Sequence, residues 1–303
     1  MQSGYVTEAG HAFLGAELYL PKSWTSDRDR CTQAGVSDDV GFATKPALAQ
    51  AMITRALDAG VRAPWVTGDE VYGADPGLRG GLEAHGVGYV LAIARDRRVN
   101  TTTGRCRADE LATRVPRRGW QPLSAGDGAK GPRLYDWAWI GIDPDTDAAA
   151  AGHRRLLIRR NRTTGELAYY RCYAPEPVPL HRLVTVAGHK WSIEENFQTG
   201  KGLCGLDQHQ VRRWRSWRRW TILAMLAHAF LTALAATEPA TTSPAAKTGL
   251  IALTRNEIRH LLAVLVLNPA RSTRHRLAWS TWRRRHQYRA RHSHYQRRSQ
   301  LRP

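Results

Sequence analysis

The sequence of 303 residues predicts an α/β fold, with a mixed sheet flanked by helices. Three observations lead to this prediction. Strand and helix patterns alternate up to Ala94, strand patterns alone follow between Trp120 and Tyr173, and helical patterns with a basic tail complete the chain. A hydrophobic content of 42% supports a buried core, and the length suits one large domain or two ordinary ones.

The N-terminal elements are predicted from turn signals and periodicity. The extended, apolar segment His11–Leu20 predicts a strand that stops at Pro21, and the turn signal at Ala9-Gly10 makes Met1–Val6 the other arm of a hairpin. Helices and strands then alternate, which indicates some parallel pairing. The predicted elements are helices over Pro46–Ala59 and from Asp75-Pro76 to Gly86, and strands over Ala63–Thr67 and Val87–Ala94.

The later part of the chain has a different pattern of predicted strands and helices. Strand-like segments separated by turns predict a β-rich insertion; they are Arg133–Ile142, Arg154–Arg160 and Leu167–Tyr173. Helices are then predicted over 190–202, Arg212–Thr237 and Leu250–Leu267, with a flexible stretch at Glu238–Lys247. The predicted division is a partial core at 1–105, the insertion at 106–178, helices at 179–237, a linker at 238–248, a helix at 249–270 and an Arg-rich tail at 271–303.

Positive charge is concentrated in the later part of the chain. The formal net charge is +19, yet residues 1–99 contain 10 Lys and Arg against 12 Asp and Glu. Residues 100–303 contain 35 against 14. This asymmetry predicts a polyanionic partner, bound mainly by the later part through salt-dependent phosphate contacts.

The cysteines and the apolar segments indicate a cytosolic, reduced protein. The four cysteines are widely spaced and form no CxxC pair, so they suggest neither zinc nor, without a signal peptide, a disulfide framework. The most apolar run, Ile222 to Ala236, contains His228 and is too short to span a bilayer. We expect it to form a buried helix, and we expect no membrane partner.

Asp69 is the first candidate functional carboxylate. It follows the strand in Trp65-Val-Thr-Gly-Asp-Glu-Val-Tyr-Gly73, at the edge where α/β sheets present ligand-binding residues. Glu70 is a weaker candidate, because adjacent side chains tend to point apart. The structural alternative is that Asp69 only caps a turn or helix between Gly68 and Gly73.

Glu194 is the second candidate, on the helix that begins near Lys190. At about 100° per residue, Lys190, Glu194, Gln198 and Lys201 fall on one stripe. A carboxylate among cations suits a site that holds metal ions against a nucleic-acid phosphate. The alternative is a solvated face with ion pairs four residues apart.

Taken together, Asp69 and Glu194 resemble the catalytic residues of DDE transposases of bacterial insertion sequences. These enzymes belong to the RNase H-like, retroviral-integrase superfamily. The resemblance lies in the Gly-Asp-x-x-Tyr-Gly strand end and in the helix, which follows the signature Tyr-x2-Arg-x3-Glu-x6-Lys of the subgroup with a β insertion. Glu194 and Lys201 match this signature, whereas Lys190 stands at the arginine position and Ala187 at the tyrosine position.

The resemblance implies Mg²⁺- or Mn²⁺-dependent cleavage and strand transfer at the ends of the element. Two divalent cations about 4 Å apart would activate the nucleophile and stabilise the leaving oxygen, held by three carboxylates. Asp69 would be the second acid and Glu194 the third, both as metal ligands. Lys190 and Lys201 would bind DNA phosphates, and the family implies a homodimer assembled on DNA in the cytoplasm, associated with the nucleoid.

The first acid of the family has no counterpart in the sequence. It belongs to a central strand ahead of the hairpin, and Glu8 and Glu17 are poor substitutes because they lie in or beside that hairpin. We therefore expect an N-terminally truncated, catalytically impaired copy. Because the neighbours of the lost strand would have unpaired backbone groups, we also expect a loosened or rearranged N-terminal sheet.

Two further basic segments are candidates for DNA contact. Arg212, Arg213 and Arg215 alternate with Trp214, Trp217 and Trp220, a pattern that suits phosphate contact and stacking or, equally, the packing of one helical face. The tail 271–303 has 11 Arg and no acidic residue, with four Trp or Tyr interleaved. It fits DNA-backbone contact, or a disordered solubilising tail.

Three functions remain open from the sequence. The first is a truncated transposase with endonuclease chemistry, and the second is a non-catalytic DNA-binding remnant of such an enzyme. The third is an unrelated basic nucleic-acid-binding protein in which the acidic matches arise by chance.

Overall fold

A computed structural model describes residues 1–128, 131–146, 149–210, 212–237, 249–267 and 272–300, with side chains up to residue 296. The predicted flexible stretch Glu238–Lys247 lies outside the described residues, as does the end of the predicted tail. Helices and strands occur where the sequence predicted them in most of the N-terminal part.

The predicted N-terminal hairpin is confirmed. Strands β1 (Gln2–Thr7) and β2 (Gly10–Ala16) pair antiparallel, and β2 ends four residues earlier than predicted. Helix α3 begins after Thr44, whose hydroxyl accepts a hydrogen bond from the Ala47 amide at 3.2 Å. The two shorter helices before it were not predicted. The helices of this region are α1 (Lys22–Thr25), α2 (Arg28–Ala34) and α3 (Lys45–Asp58).

The predicted strand–helix–strand unit follows. Strands β3 (Trp65–Gly68) and β4 (Gly88–Ile93) are parallel neighbours, and all six residues of β4 are buried. The chain between them forms α4 (Glu70–Gly73) and α5 (Pro76–Ala84). Asp75 caps α5 by accepting a hydrogen bond from the Leu78 amide at 2.7 Å, as the Asp-Pro signal predicted.

The strands of the predicted insertion belong to the same sheet as β3 and β4. The six strands lie in the order β3-β4-β10-β9-β8-β7, with every pair beyond β3–β4 antiparallel. The sheet is therefore continuous across the predicted boundary at residue 105. The elements of this region are β5 (Arg98–Thr101), β6 (Gly104–Arg107), α6 (Ala108–Thr113), β7 (Gln121–Gly128), β8 (Gly131–Gly141), β9 (His153–Arg160) and β10 (Leu167–Ala174).

Within the described ranges the N-terminal strands do not form one sheet, which is consistent with the expectation of a loosened or rearranged N-terminal sheet. The β1–β2 hairpin forms a two-stranded sheet of its own, and across the described ranges no strand connects it to β3. Each of β1 and β3 therefore has a partner strand on one side only. The architecture as a whole, a mixed sheet flanked by helices, confirms the predicted α/β class and is consistent with an RNase H-like fold.

The C-terminal third is helical. Its helices are α7 (Leu180–His189), α8 (Trp191–Cys204), α9 (Trp214–Thr237), α10 (Arg255–Leu262, followed by a π turn at Ala263–Leu267) and α11 (Thr273–Gln300). The prediction of a helix from Leu250 was wrong at its start, because Thr254 caps α10 through the Glu257 amide. Much of the basic tail is the helix α11, so a wholly disordered tail is ruled out over 273–300.

The apolar core lies on both faces of the sheet. Helix α7 packs through Leu183 and Val184 against Trp137 and Leu157, while α5 packs through Leu78 and Leu82 against the opposite face. Both faces of the sheet are thus covered by helices, as expected when strand residues are buried on both sides.

The expectation of a buried helix around Ile222–Ala236 holds for only one face of α9. Thr221, Ala224, His228 and Leu231 are buried, whereas Leu223, Leu226 and Phe230 are more than half exposed. Residues spaced by three and four share a face, so the exposed apolar residues lie opposite the buried ones. Among the described residues α9 is the one helix long and apolar enough to cross a membrane, by length and composition only, which is weak evidence.

Candidate active site

A cavity of about 770 Å³ lies between the hairpin and the six-stranded sheet. Strands β1 and β3 line it along nearly their full lengths, and α3, α7 and α8 contribute much of the remaining lining. Asp69, Glu194 and Lys190 all line this cavity. The fold therefore places the two candidate carboxylates, which are far apart in the sequence, on the lining of one cavity.

Asp69 is the residue between β3 and α4. Its Oδ1 accepts a hydrogen bond from the Val71 amide at 3.0 Å, and its backbone carbonyl accepts hydrogen bonds from Tyr72 and Gly73. The capping role that the sequence left open is thus present. It uses one carboxylate oxygen, and the exposed side chain has no ion-pair partner among the described residues. Glu70, the weaker candidate, is exposed and does not line the cavity.

Glu194 lies in the first turn of α8, and Lys190 is the residue before that helix. Helix α8 ends at Cys204 because Gly205 adopts a left-handed conformation with φ 66°. Glu194 is exposed, and the described part of the chain offers it no cationic side chain within ion-pair distance, so the expected alternative of an ion pair with Lys190 is not present. Its carboxylate lines the same cavity as the cations Lys190 and Arg182 but is paired with neither.

A partly buried polar cluster connects α8 to the hairpin. The His11 ring donates from Nδ1 to Asn196 Oδ1 at 2.6 Å, and its Nε2 lies 3.2 Å from Glu195 Oε2. Asn196 is fully buried, and its Nδ2 has no hydrogen-bond partner in the described ranges. Because Glu195 is held by His11, the neighbouring Glu194 is the carboxylate that remains available to the cavity.

The residues present do not complete a two-metal site. Glu8 and Glu17 do not line the cavity, and Glu17 is paired with Arg55 at 2.5 Å. No group of three His, Cys, Asp or Glu side chains suited to a metal ion occurs in the described part of the chain. Asp69 and Glu194 are oxygen ligands of the type that Mg²⁺ prefers, but two carboxylates are fewer than two cations need.

The predicted DNA-binding cations are divided between two places. Lys190 lines the cavity, whereas Lys201 is exposed at the other end of α8 and does not. Arg212, Arg213 and Arg215 are exposed at the start of α9, also outside the cavity lining. These five cations have no ion pair with any described acidic residue, which leaves their charge available for an anionic partner.

The three tryptophans interleaved with those arginines serve mainly in packing. The Trp214 and Trp217 rings lie 5.8 Å apart, and Trp214 packs against the cluster around Cys31. The Trp220 indole donates to the Gly205 carbonyl at 2.9 Å. Of the two alternatives, the packing of one helical face is therefore the one that the contacts support.

Four further cavity residues were not predicted. The first is Arg182, which adds positive charge to the cavity. The second is His189, whose pKa is lowered by burial and by the nearby positive charges of Arg133 and Arg182. Burial and the charge of Asp69 raise the pKa of Tyr72. The fourth is Asn196. Of these, Tyr72 was present in the strand-end motif, whereas the others give no signal in a single sequence.

Comparison with known proteins shows a similarity to one family in the N-terminal part of the chain. Residues 1–130 match the model of the DDE superfamily endonucleases. The match covers less than half of the chain, includes Asp69 and ends before Glu194. It supports a similarity to DDE transposase-like nucleases, a class of proteins that act on DNA. Endonucleases of this superfamily typically use divalent metal ions. No curated protein matches the chain.

Proposed function

We propose that this chain is a DDE transposase of an insertion sequence, in a catalytically impaired form. The observation that carries the proposal is the cavity that Asp69 and Glu194 line together, at the end of β3 and the start of α8. The family match over residues 1–130 supports it independently. The subgroup with a β insertion is proposed on the spacing of Glu194 and Lys201, with β7–β10 as the inserted strands.

The impairment is proposed from the space between β1 and β3. Both strands line the cavity, and neither pairs with a second neighbour within the described ranges. The cavity between them has a volume of about 770 Å³, so it has room for further chain beside β1 and β3. A strand in this position would carry the missing first acid.

The proposed roles of the site residues follow from their positions. Asp69 and Glu194 would be the second and third acids and would hold Mg²⁺ or Mn²⁺ in a complete site. With the third ligand group absent, two carboxylates would bind such ions weakly, and we derive no cleavage step through them. Lys190 would hold a DNA phosphate beside the carboxylates, while Lys201, Arg212, Arg213 and Arg215 would bind the backbone outside the cavity.

The proposed partner is the DNA at the ends of the element, bound by a homodimer in the cytoplasm at the nucleoid. The excess positive charge of residues 100–303 supports polyanion binding, because each phosphate contact releases counterions. A non-catalytic DNA-binding remnant is the second candidate. It is favoured by one observation, that no three-ligand metal group occurs among the described residues.

Nicking of supercoiled plasmid tests the proposal. The purified chain is incubated with Mg²⁺ or Mn²⁺, beside the Glu194→Gln and Asp69→Asn variants. We expect all three proteins to bind DNA and none to nick it above background. Metal-dependent nicking that Glu194→Gln abolishes would show a complete enzyme and overturn the proposed impairment. Failure to bind DNA at low salt would overturn both the transposase and the remnant.

The DNA upstream of the coding sequence gives an independent test. An in-frame or frameshifted extension that encodes an apolar strand ending in Asp would support the missing strand. Fusing that segment to the chain should then restore metal-dependent nicking that requires both Asp69 and Glu194. Upstream DNA without such a segment would count against the transposase assignment.

A further inference from the structure

Helix α11 has two dissimilar faces. One face is attached to the rest of the protein: Arg283 donates two hydrogen bonds to the Glu257 carboxylate, at 2.7 and 2.5 Å, and Arg284 donates to the Ile251 carbonyl at 2.8 Å. Ser280 on this face is buried. At about 100° per residue, a second set of residues projects about 120° away around the helix. The basic helix is thus fixed in orientation, and the second face is turned to solvent.

The solvent face carries a row of aromatic rings, formed by His275, Trp279, Trp282 and His286. The Trp279 and Trp282 side chains are 49% and 57% exposed. Neighbouring rings touch along the row, with centroid distances of 6.5, 5.3 and 5.6 Å from His275 to His286. The row is about 16 Å long. Helix α11 is attached to the protein through its other face. The two exposed indoles therefore do not contribute to the core.

A row of arginines runs beside the rings. Arg274, Arg285 and Arg289 are exposed and lie about 80° around the helix from the ring row. Within the described part of the chain they form no hydrogen bond, ion pair or ring contact. Helix α11 contains no acidic residue. Bases could therefore lie on the rings while the phosphates follow the guanidinium groups at one side.

We propose that this face of α11 binds single-stranded nucleic acid by stacking. Rings can stack on bases only where the base faces are free, and in a duplex those faces are covered by neighbouring pairs. Single-strand binding proteins combine a cationic track with aromatic side chains in this way. The proposal goes beyond the metal-dependent function, since it concerns a different surface and needs no metal ion.

Fluorescence anisotropy with a labelled oligonucleotide of about 12 thymidines tests the proposal. It is measured in EDTA with the full chain, beside a duplex of the same length. We expect tighter binding of the single strand than of the duplex. Trp279→Ala and Trp282→Ala should each weaken single-strand binding at least about fivefold, and Trp282→Phe should retain most of it. Arg285→Gln should weaken both DNAs and reduce the salt dependence.

Leu277→Ala is the matched control. Leu277 lies on the same helix, is 46% exposed and belongs to neither row, so binding should not change. Urea unfolding of each variant confirms that the fold is retained. Unchanged single-strand binding by both tryptophan variants would overturn the proposal, as would tighter binding of the duplex. If these variants instead convert a dimer to a monomer in sedimentation with binding intact, the row is an interface between copies, and the proposal is wrong. DNA binding at low salt and metal-dependent nicking test the proposed function, whereas the effect of the tryptophan variants on single-strand binding tests this surface, so the two proposals fail separately.

Discussion

Asp69 and Glu194 line one cavity, and neither carboxylate is neutralised by an ion pair among the described residues. Asp69 also caps α4 by accepting a hydrogen bond from the Val71 amide. The effect of its charge can therefore be tested separately from the effect of this hydrogen bond. A residue that serves only as a cap needs the hydrogen bond alone. A ligand for a cation or for a phosphate-bound metal needs the charge.

Substitutions at Asp69 and Glu194 separate these two roles. Asp69→Asn keeps a good capping group and should change the free energy of unfolding by less than about 0.5 kcal/mol, whereas Asp69→Ala should lower it by about 1 kcal/mol. Glu194→Gln should also change it by less than about 0.5 kcal/mol, because the side chain is exposed and has no ion-pair partner in the described part of the chain. Urea unfolding measures these values. A large loss in Asp69→Asn would reveal a structural partner for the charge.

The Glu83 carboxylate should be important for stability. It accepts hydrogen bonds from Arg154, with the closest distance 2.5 Å, and from the Tyr89 hydroxyl at 2.7 Å. Glu83 and Arg154 are each about 9% exposed, so removing one partner leaves a buried charge uncompensated. Glu83→Ala should lower the free energy of unfolding by about 3–5 kcal/mol.

The surface pair Arg28–Asp38 is the control for that experiment. Its Nη2–Oδ1 distance is 2.7 Å, but the Asp38 side chain is 95% exposed. Asp38→Ala should cost less than about 1 kcal/mol, because exposed ion pairs are weak. Equal losses in the two variants would show that burial does not decide the strength of these pairs.

The buried His228 should make the protein sensitive to acid. The pKa of His228 is lowered from 6.5 to about 4. Burial is the main cause, and the nearby Arg255 and His11 add to it. The folded state therefore holds the neutral ring, while the unfolded state takes up a proton below pH 6.5. Stability should fall as the pH falls from about 6.5 to about 4, by about 3 kcal/mol in total.

Urea unfolding at several pH values between 7 and 4 measures the effect. His228→Leu is the comparison variant, because it removes the titrating group and keeps an apolar side chain beside Phe13. The free energy of unfolding of this variant should depend less steeply on pH, and the difference in slope should correspond to about one bound proton. Parallel pH profiles for the two proteins would contradict the prediction.

Gly73 should be required for the position of Asp69. A Cβ at this residue would overlap the carbonyl oxygen of Ala92 in β4, so α4 approaches the strand through a position that has no room for a side chain. Gly73→Ala should therefore lower the free energy of unfolding by about 3 kcal/mol or more. Thermal and urea unfolding measure this loss.

Gly80 provides the opposite case. It is exposed in α5, and a Cβ there would meet nothing within 4 Å. Gly80→Ala should stabilise the protein by about 0.5–1 kcal/mol, because alanine has less backbone freedom to lose on folding. A loss of stability in Gly80→Ala would indicate a contact that the structure does not contain.

Local signals predicted much of the fold. Asp75-Pro76 fixed the start of α5, the Ala9-Gly10 turn fixed the hairpin, and the continuous apolar run gave β4. The C-terminal boundaries were predicted less well, since Leu250 looks helical by composition while Thr254 supplies the cap. The tail composition is compatible with disorder, and it is the ion pair of Arg283 with Glu257 and the contacts beside it that hold α11.

The sequence by itself determined the types of the strands and helices, the excess of positive charge and the two candidate acids, because these depend on residue type and short spacing. Tertiary structure decided that Asp69 and Glu194 share a cavity, that β1 and β3 lie on its walls, and that two tryptophans of α11 face solvent. These relationships depend on chain segments far apart in sequence and on which face of each helix finds a packing partner. A periodic pattern marks a face but does not identify what covers it.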